Sequence, residues 1–145
     1  MGKRFDGSTG SGVDFDLVLH DVQLVGADGI RPATVAVADG KVADVLDAGT
    51  PVPAAEHVDA AGLHLLPGLV DTHVHLRSPA RPDRETFRTG TAAAAAGGVT
   101  TICEMPTSDP PVNSGGVLAG RAAELRPDAL VDYALYGGAA WENRH

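Results

Sequence analysis

The sequence predicts an α/β fold in which a small β domain precedes the amino-terminal part of a (β/α)8 TIM-type barrel. Short runs of alternating apolar residues, separated by turn residues, fill residues 14–66 and are typical of β strands. From Pro67 onward strand-length and helix-length runs alternate, and the three strands begin about 30 residues apart, near Leu69, Val99 and Leu130. A barrel of roughly 250 residues divided into eight units has this repeat.

The first part of the chain predicts a tail and a small β domain. Residues 1–13 are rich in Gly, Ser and charge, and we expect them to form a flexible tail. The Asp39-Gly40 pair lies between Val-rich runs and predicts a tight hairpin, because both central residues of a type I′ turn need positive φ. Residues 51–55, rich in Pro and Ala, predict a connection. The predicted strands are 15–19, 22–25, 33–38, 41–46 and a short one near 63–66.

Residues 67–145 predict the first three strands and two helices of the barrel. Asp83 is the expected N-cap of the first helix, Gly97-Gly98 its end, and Ser114 the N-cap of the second, which Pro127 ends. Eight units do not fit in 145 residues, so we expect a chain that stops mid-fold and is inactive by itself. A small, complete three-stranded α/β domain is the alternative. The predicted elements are strand 69–75, helix 84–96, strand 99–105, helix 115–126 and strand 130–136.

Composition narrows the classes of partner. No uncharged apolar stretch approaches the roughly 18 residues of a membrane helix, and the first residues contain no secretory signal. Without such a signal we expect a cytoplasmic protein, and the single cysteine, Cys103, which excludes an intrachain disulfide, fits a reducing compartment. A net charge of −8 and a pI near 5.0 argue against a nucleic acid or a membrane surface as partner. We expect a small-molecule substrate.

The most informative residues are three polar side chains at alternating positions. Asp71, His73 and His75 share one face of the first barrel strand, because residues i and i+2 of a strand point to the same side. Two neutral imidazoles on that face can converge on one divalent metal, and the carboxylate of Asp71 can orient a ring by accepting its N–H. The carboxyl end of a strand is also where barrel enzymes build their sites.

Other polar residues give weaker signals. Cys103 lies in an apolar strand, where inert packing is expected. Glu104 follows it and either faces a site or pairs with a cation; the sequence leaves both open. Four further histidines have no ligand-like spacing and are expected at the surface: His20, His57, His64 and His145.

Residues 67–79 (PGLVDTHVHLRSP), followed by 87–92, 97–102 and Met105-Pro106, resemble the cyclic-amide branch of the amidohydrolase superfamily. That branch includes dihydroorotases, allantoinases and hydantoinases. The resemblance covers residues 14–145 and identifies the chain as an amino-terminal fragment. It implies metal-dependent hydrolysis of a C–N bond in a ring such as dihydroorotate, allantoin or a hydantoin.

The resemblance also implies a binuclear zinc centre in the complete enzyme. His73 and His75 correspond to the ligands of the more buried ion. A carbamylated lysine, two more histidines and the proton-shuttle aspartate would lie beyond His145, so no catalytic residue is expected in this fragment. Metal-activated hydroxide would attack the amide, and we expect the complete protein to be a homo-oligomer.

Two positions bear on the substrate. In dihydroorotases the arginine of the His-x-His-x-Arg pattern and an asparagine after Met-Pro hold the substrate carboxylate. Arg77 matches the first position and Thr107 stands at the second, so both are predicted substrate-binding residues. Two alternatives remain: a non-catalytic binding or assembly protein on the dihydropyrimidinase-like scaffold, and a small complete metal-binding module.

Overall fold

The structure is a computed structural model that describes residues 15–139. The predicted tail, residues 1–13, lies outside this range. The described chain divides into two compact units, residues 15–67 and 68–139. No helix in this part of the chain is long and apolar enough to cross a bilayer.

The first unit is a five-stranded β sheet with the order β3-β2-β1-β4, in which β5 also pairs with β1. Strands β1, β2 and β3 form an antiparallel meander, whereas β4 and β5 run parallel to β1. The strands are β1 (Phe15–Gly26), β2 (Gly29–Ala38), β3 (Lys41–Leu46), β4 (Ala54–Asp59) and β5 (His64–Leu65).

The turns of this unit follow the local sequence. Asp39 (φ 51°) and Gly40 (φ 68°) connect β2 to β3 with both residues at positive φ, which confirms the predicted hairpin. The two runs predicted as separate strands at 15–19 and 22–25 form the single strand β1. A bulge between Leu19 and Val22, with Asp21 at φ 55°, separates them without ending the strand.

Strand β4 was missed by the sequence analysis, which predicted a connection through its first residues. Most of its residues are exposed, so its apolar pattern is weak. The strand forms because its backbone pairs in parallel with β1, from Phe15 opposite Ala54 to His20 opposite Asp59. Two small apolar clusters pack on the sheet: Val18, Ala36 and Val52, and Val22, Ala33, Val35 and Ala60.

The second unit is a three-stranded parallel sheet in the order β6-β7-β8, with a helix in each connection. This order agrees with the predicted β-α-β-α-β sequence of elements. Together the two units form a mixed α/β protein. The elements are β6 (Leu69–Val74), α1 (Phe87–Ala96), β7 (Val99–Glu104), α2 (Gly115–Leu125), a 3-10 turn (Arg126–Asp128) and β8 (Asp132–Leu135).

Helix α1 begins three residues later than predicted. Thr86, not Asp83, is its N-cap: the Thr86 hydroxyl accepts the N–H of Thr89, and the Thr89 hydroxyl accepts the N–H of Thr86. Asp83 instead forms a two-point ion pair with Arg81, at 2.9 and 3.0 Å. Ser114 caps α2 as predicted, by accepting the N–H of Val117.

The core of the second unit lies between its sheet and its two helices. Phe87 at the start of α1 is 1% exposed and meets the ring of Tyr133 edge-on, with centroids 5.3 Å apart. Leu76, from the loop after β6, belongs to the same cluster, so the chain just beyond the His-x-His motif is anchored in apolar packing. The buried members are Leu76, Phe87, Ile102 and Leu125.

Candidate metal and substrate site

The candidate site lies at the carboxyl end of β6. His73 is in the strand and His75 follows its last residue, Val74. Val74 and Leu76 pack into the core beneath the helices. Because side chains alternate along an extended chain, His73 and His75 lie on the opposite, more accessible face.

The two imidazoles are neighbours. Their ring centroids are 5.4 Å apart and their planes make an angle of 64°. Zinc–nitrogen bonds of about 2.1 Å place two imidazole rings on one tetrahedral ion with centroids roughly 5 Å apart. His73 is exposed and His75 half-buried, so an ion has access to both rings. The spacing and the donor types therefore fit a divalent metal.

Thr107 holds the ring of His75. The Nδ1 atom of His75 is 2.8 Å from Oγ1 of Thr107, which follows the Met105-Pro106 pair after β7. If Nδ1 donates its hydrogen to this oxygen, Nε2 is left as an unprotonated donor for a metal. The threonine hydroxyl then keeps its own hydrogen for a further acceptor. Thr107, which the sequence analysis predicted only as a substrate contact, is therefore also in a position to orient the ring of His75.

Asp71 contacts His73 through the main chain. Its Oδ1 atom accepts the backbone N–H of His73 at 3.0 Å. The expected hydrogen bond from a ring nitrogen to this carboxylate is not the one formed. Asp71 therefore supports the backbone of the motif instead of the tautomer of a ring.

Arg77 has an unusual backbone conformation. It is exposed and has a φ of 56°, in the left-handed region that residues with a Cβ rarely occupy. Its carbonyl oxygen accepts the N–H of Arg81 at 2.7 Å, which closes a turn. At the surface beyond it, the hydrogen bond from Arg81 lowers the pKa of Asp83.

Glu104 pairs with a cation that the sequence analysis did not single out. The side chain lies at the end of β7, is 5% exposed, and faces Arg121 of α2, also 5% exposed. The oxygens of Glu104 lie 3.1 and 3.3 Å from Nη2 of Arg121. Burial raises the pKa of Glu104, while the charge and hydrogen bonds of Arg121 oppose the rise. An arginine between apolar helix neighbours, such as Leu118 and Leu125, was the signal available in the sequence.

Among the remaining histidines, two form a pair. Nε2 of His20 and Nδ1 of His57 are 2.9 Å apart on the neighbouring strands β1 and β4. Their spacing of 37 residues gave no hint of this contact. His64 is exposed on β5, and His145 lies outside the described residues.

A parallel strand–helix repeat whose first strand ends in two adjacent imidazoles defines an α/β protein with a candidate metal site at the carboxyl edge of its sheet. Comparison with known families gives the class a name. The family model described as Dihydro-orotase-like matches residues 62–143, more than half of the chain. The chain belongs to this family, which confirms the resemblance that the motifs indicate.

Individual relatives agree with the family. An allantoinase of Streptomyces avermitilis is 43% identical over 90% of this chain, and a dihydroorotase of Halobacterium salinarum is 40% identical over 78%. The solved structure of an L-hydantoinase from Arthrobacter aurescens matches 89% of this chain at 37% identity with a TM-score of 0.83. The chain spans 28–30% of the length of these proteins.

Proposed function

We propose that this chain supplies the first metal-binding strand and a substrate-binding loop of a metal-dependent hydrolase that opens a cyclic amide. The observation that carries the proposal is the His73–His75 pair, with ring centroids 5.4 Å apart and His75 held by Thr107. The family supports the reaction class, since relatives named allantoinase, L-hydantoinase and dihydroorotase all act on rings that contain an amide-type C–N bond.

In this proposal His73 and His75 are ligands of a divalent ion, with zinc expected, in the first half of a binuclear centre. Such an ion would lower the pKa of a bound water far below that of free water, to about 7, and would polarise a carbonyl oxygen; amide hydrolysis requires both effects. Residues 15–139 bring together no group of three or more His, Cys, Asp or Glu side chains able to hold an ion. The remaining ligands and the proton shuttle would therefore come from outside those residues.

Arg77 and Thr107 are the proposed substrate contacts. The guanidinium of Arg77 is exposed at the carboxyl edge of the sheet and offers planar paired donors, which suit a carboxylate or a ring carbonyl. With Nδ1 of His75 as the donor, Thr107 keeps its own hydroxyl hydrogen and can donate it to a second acceptor. The barrel architecture of the intact enzyme is part of the same proposal.

The test is metal content and turnover in the intact protein. We expect His73→Ala and His75→Ala to lose bound zinc, measured by mass spectrometry, and to lower hydrolysis of dihydroorotate, allantoin or hydantoin by about 100-fold or more. His64→Ala is the matched control, because it removes an exposed histidine from the other unit. If the purified wild-type protein contains no metal and shows no turnover, the non-catalytic binding alternative is favoured.

A further inference from the structure

A buried ion pair beside the candidate site reaches into the loop that carries Arg77. The guanidinium of Arg121 contacts both carboxylate oxygens of Glu104, and its Nη2 donates to the carbonyl oxygen of Ser78. Helix α2, the end of β7 and the loop after β6 therefore meet at one side chain. We propose that Arg121, held by Glu104, is a positioning residue that fixes the backbone at Arg77 and thereby sets affinity for the substrate; the substrate part of this inference rests on the proposed function.

Burial makes the contact with Ser78 persistent. Arg121 and Glu104 are each 5% exposed, so water competes poorly for their hydrogen bonds. A buried guanidinium needs a counter-charge, which Glu104 supplies from β7 and Glu124 supplements at 3.4 Å from the same helix. With its charge balanced in this way, the guanidinium of Arg121 still has an N–H to donate to the uncharged carbonyl oxygen of Ser78. Lysine has no planar fork and cannot serve both acceptors in the same geometry.

The carbonyl that Arg121 binds belongs to the residue next to the strained one. Arg77 has a φ of 56°, and such a conformation persists only where the surroundings hold it. On one side, Leu76 is 4% exposed and packed in the core. On the other side, Ser78 is tied to Arg121. Since both neighbours are fixed, the direction in which the Arg77 side chain leaves the backbone is fixed as well.

The first experiment is kinetic and uses the intact enzyme. If Arg121 acts through Arg77, we expect Arg121→Met to raise KM about 10-fold with a smaller change in kcat and no loss of zinc. Arg121→Lys should give an intermediate KM. Arg126→Met, which removes an exposed arginine just after the same helix, should leave KM unchanged.

A double-substitution cycle separates positioning from general structural damage. In an Arg77→Met background, Arg121→Met should change KM by less than about 2-fold, because the residue through which it acts is already gone. Equal effects of Arg121→Met in both backgrounds would overturn the proposal.

The second experiment does not depend on turnover. The N–H of Arg81 donates to the carbonyl oxygen of Arg77, so its hydrogen exchange, followed by NMR, reports on the loop. We expect about 10-fold faster exchange at Arg81 in Arg121→Met and no change at Gly97, which ends α1. Arg121→Lys and Glu104→Gln provide the same readout if Arg121→Met does not fold.

The two readouts keep the two proposals apart. Unchanged exchange at Arg81 in every one of these variants would refute the positioning role even in an active enzyme. If the wild-type protein shows no turnover but Arg121→Met still exchanges faster than wild type at Arg81, the positioning of the loop is upheld and the proposed function is rejected.

Discussion

His75 links the carboxyl ends of the adjacent strands β6 and β7. It follows β6, and its Nδ1 meets the hydroxyl of Thr107 beyond the end of β7. In metal sites of this kind the partner of the second ring nitrogen fixes the tautomer and the ring orientation. Under the proposed function, the identity of the residue at position 107 would therefore affect metal binding as well as substrate binding.

This arrangement predicts a specific effect of Thr107→Val on metal binding. Valine matches threonine in shape but accepts no hydrogen bond from His75, so we expect zinc affinity to fall about 10- to 100-fold. Thr107→Ser, which keeps the hydroxyl, should bind within a few-fold of wild type. Competition with a chromophoric chelator measures both, and wild-type affinity in Thr107→Val would contradict the assigned role.

Single residues were only partly predictable from the sequence. The pairing of His73 with His75 follows from alternation along one strand, a local rule. The partners of Arg121 lie 17 residues away at Glu104 and 43 residues away at Ser78, and no local rule links such positions. The contact of His20 with His57 was missed for the same reason, since it depends on the parallel pairing of β1 with β4.

At the scale of elements, α1 is connected to the candidate site through a glycine. Gly90 lies within the helix and is buried, and a Cβ built there would stand 2.6 Å from Cδ2 of Leu76 and 3.0 Å from Cδ of Glu85. Leu76 separates His75 from Arg77 in the chain. The absence of a side chain at position 90 thus allows the loop after β6 to pack directly on the helix.

We therefore expect Gly90→Ala to destabilise the protein although alanine favours helices. Overpacking against Leu76 should lower the free energy of unfolding by about 1–3 kcal/mol, measured by urea denaturation. Gly116→Ala is the matched control in α2, where a Cβ meets nothing within 4 Å. It should stabilise the protein by up to about 1 kcal/mol, because alanine has the higher helix propensity. Equal effects of the two substitutions would exclude this account.

The elements themselves were more predictable than their boundaries. The strands β6, β7 and β8 follow from apolar runs bounded by Pro and Gly, and the hairpin at Asp39-Gly40 from turn chemistry. The start of α1 was misplaced because Asp83 and Thr86 are both good N-caps, and only the structure shows that Arg81 takes up Asp83. The weakly apolar strand β4 depends on a distant partner and left little local signal.

At the scale of the whole molecule, each unit has its own core. The first contains two small aliphatic clusters, and the second a larger one that includes Phe87. Among residues 15–139, the ion pair whose members are both about 5% exposed lies in the second unit. Its stability therefore carries an electrostatic contribution that changes with pH.

The sign of this pH dependence follows from Glu104. Burial raises its pKa above the ordinary value of about 4.3, so folding favours the protonated carboxyl group. The contribution to stability is complete below about pH 4 and is lost as the pH rises through the raised pKa. We expect wild type to lose stability relative to Glu104→Gln as the pH rises from about 4 through the raised pKa of Glu104, by about 1.4 kcal/mol for each unit by which folding raises that pKa.

Denaturant titrations at several pH values test this expectation. Glu124→Gln is the control, since it removes an exposed carboxylate beside the same arginine and should give a smaller pH-dependent difference. A wild-type protein that gained stability relative to Glu104→Gln over this range would show that the attraction of Arg121 outweighs burial.

The left-handed backbone at position 77 has a consequence for how this segment can evolve. Glycine would adopt a φ of 56° without steric cost, so selection for folding alone favours replacing the arginine. Gene lineages freed from the need for the guanidinium would drift toward glycine or asparagine there. A lineage that retains arginine at this position would therefore indicate selection for its charge, because the backbone conformation favours another residue.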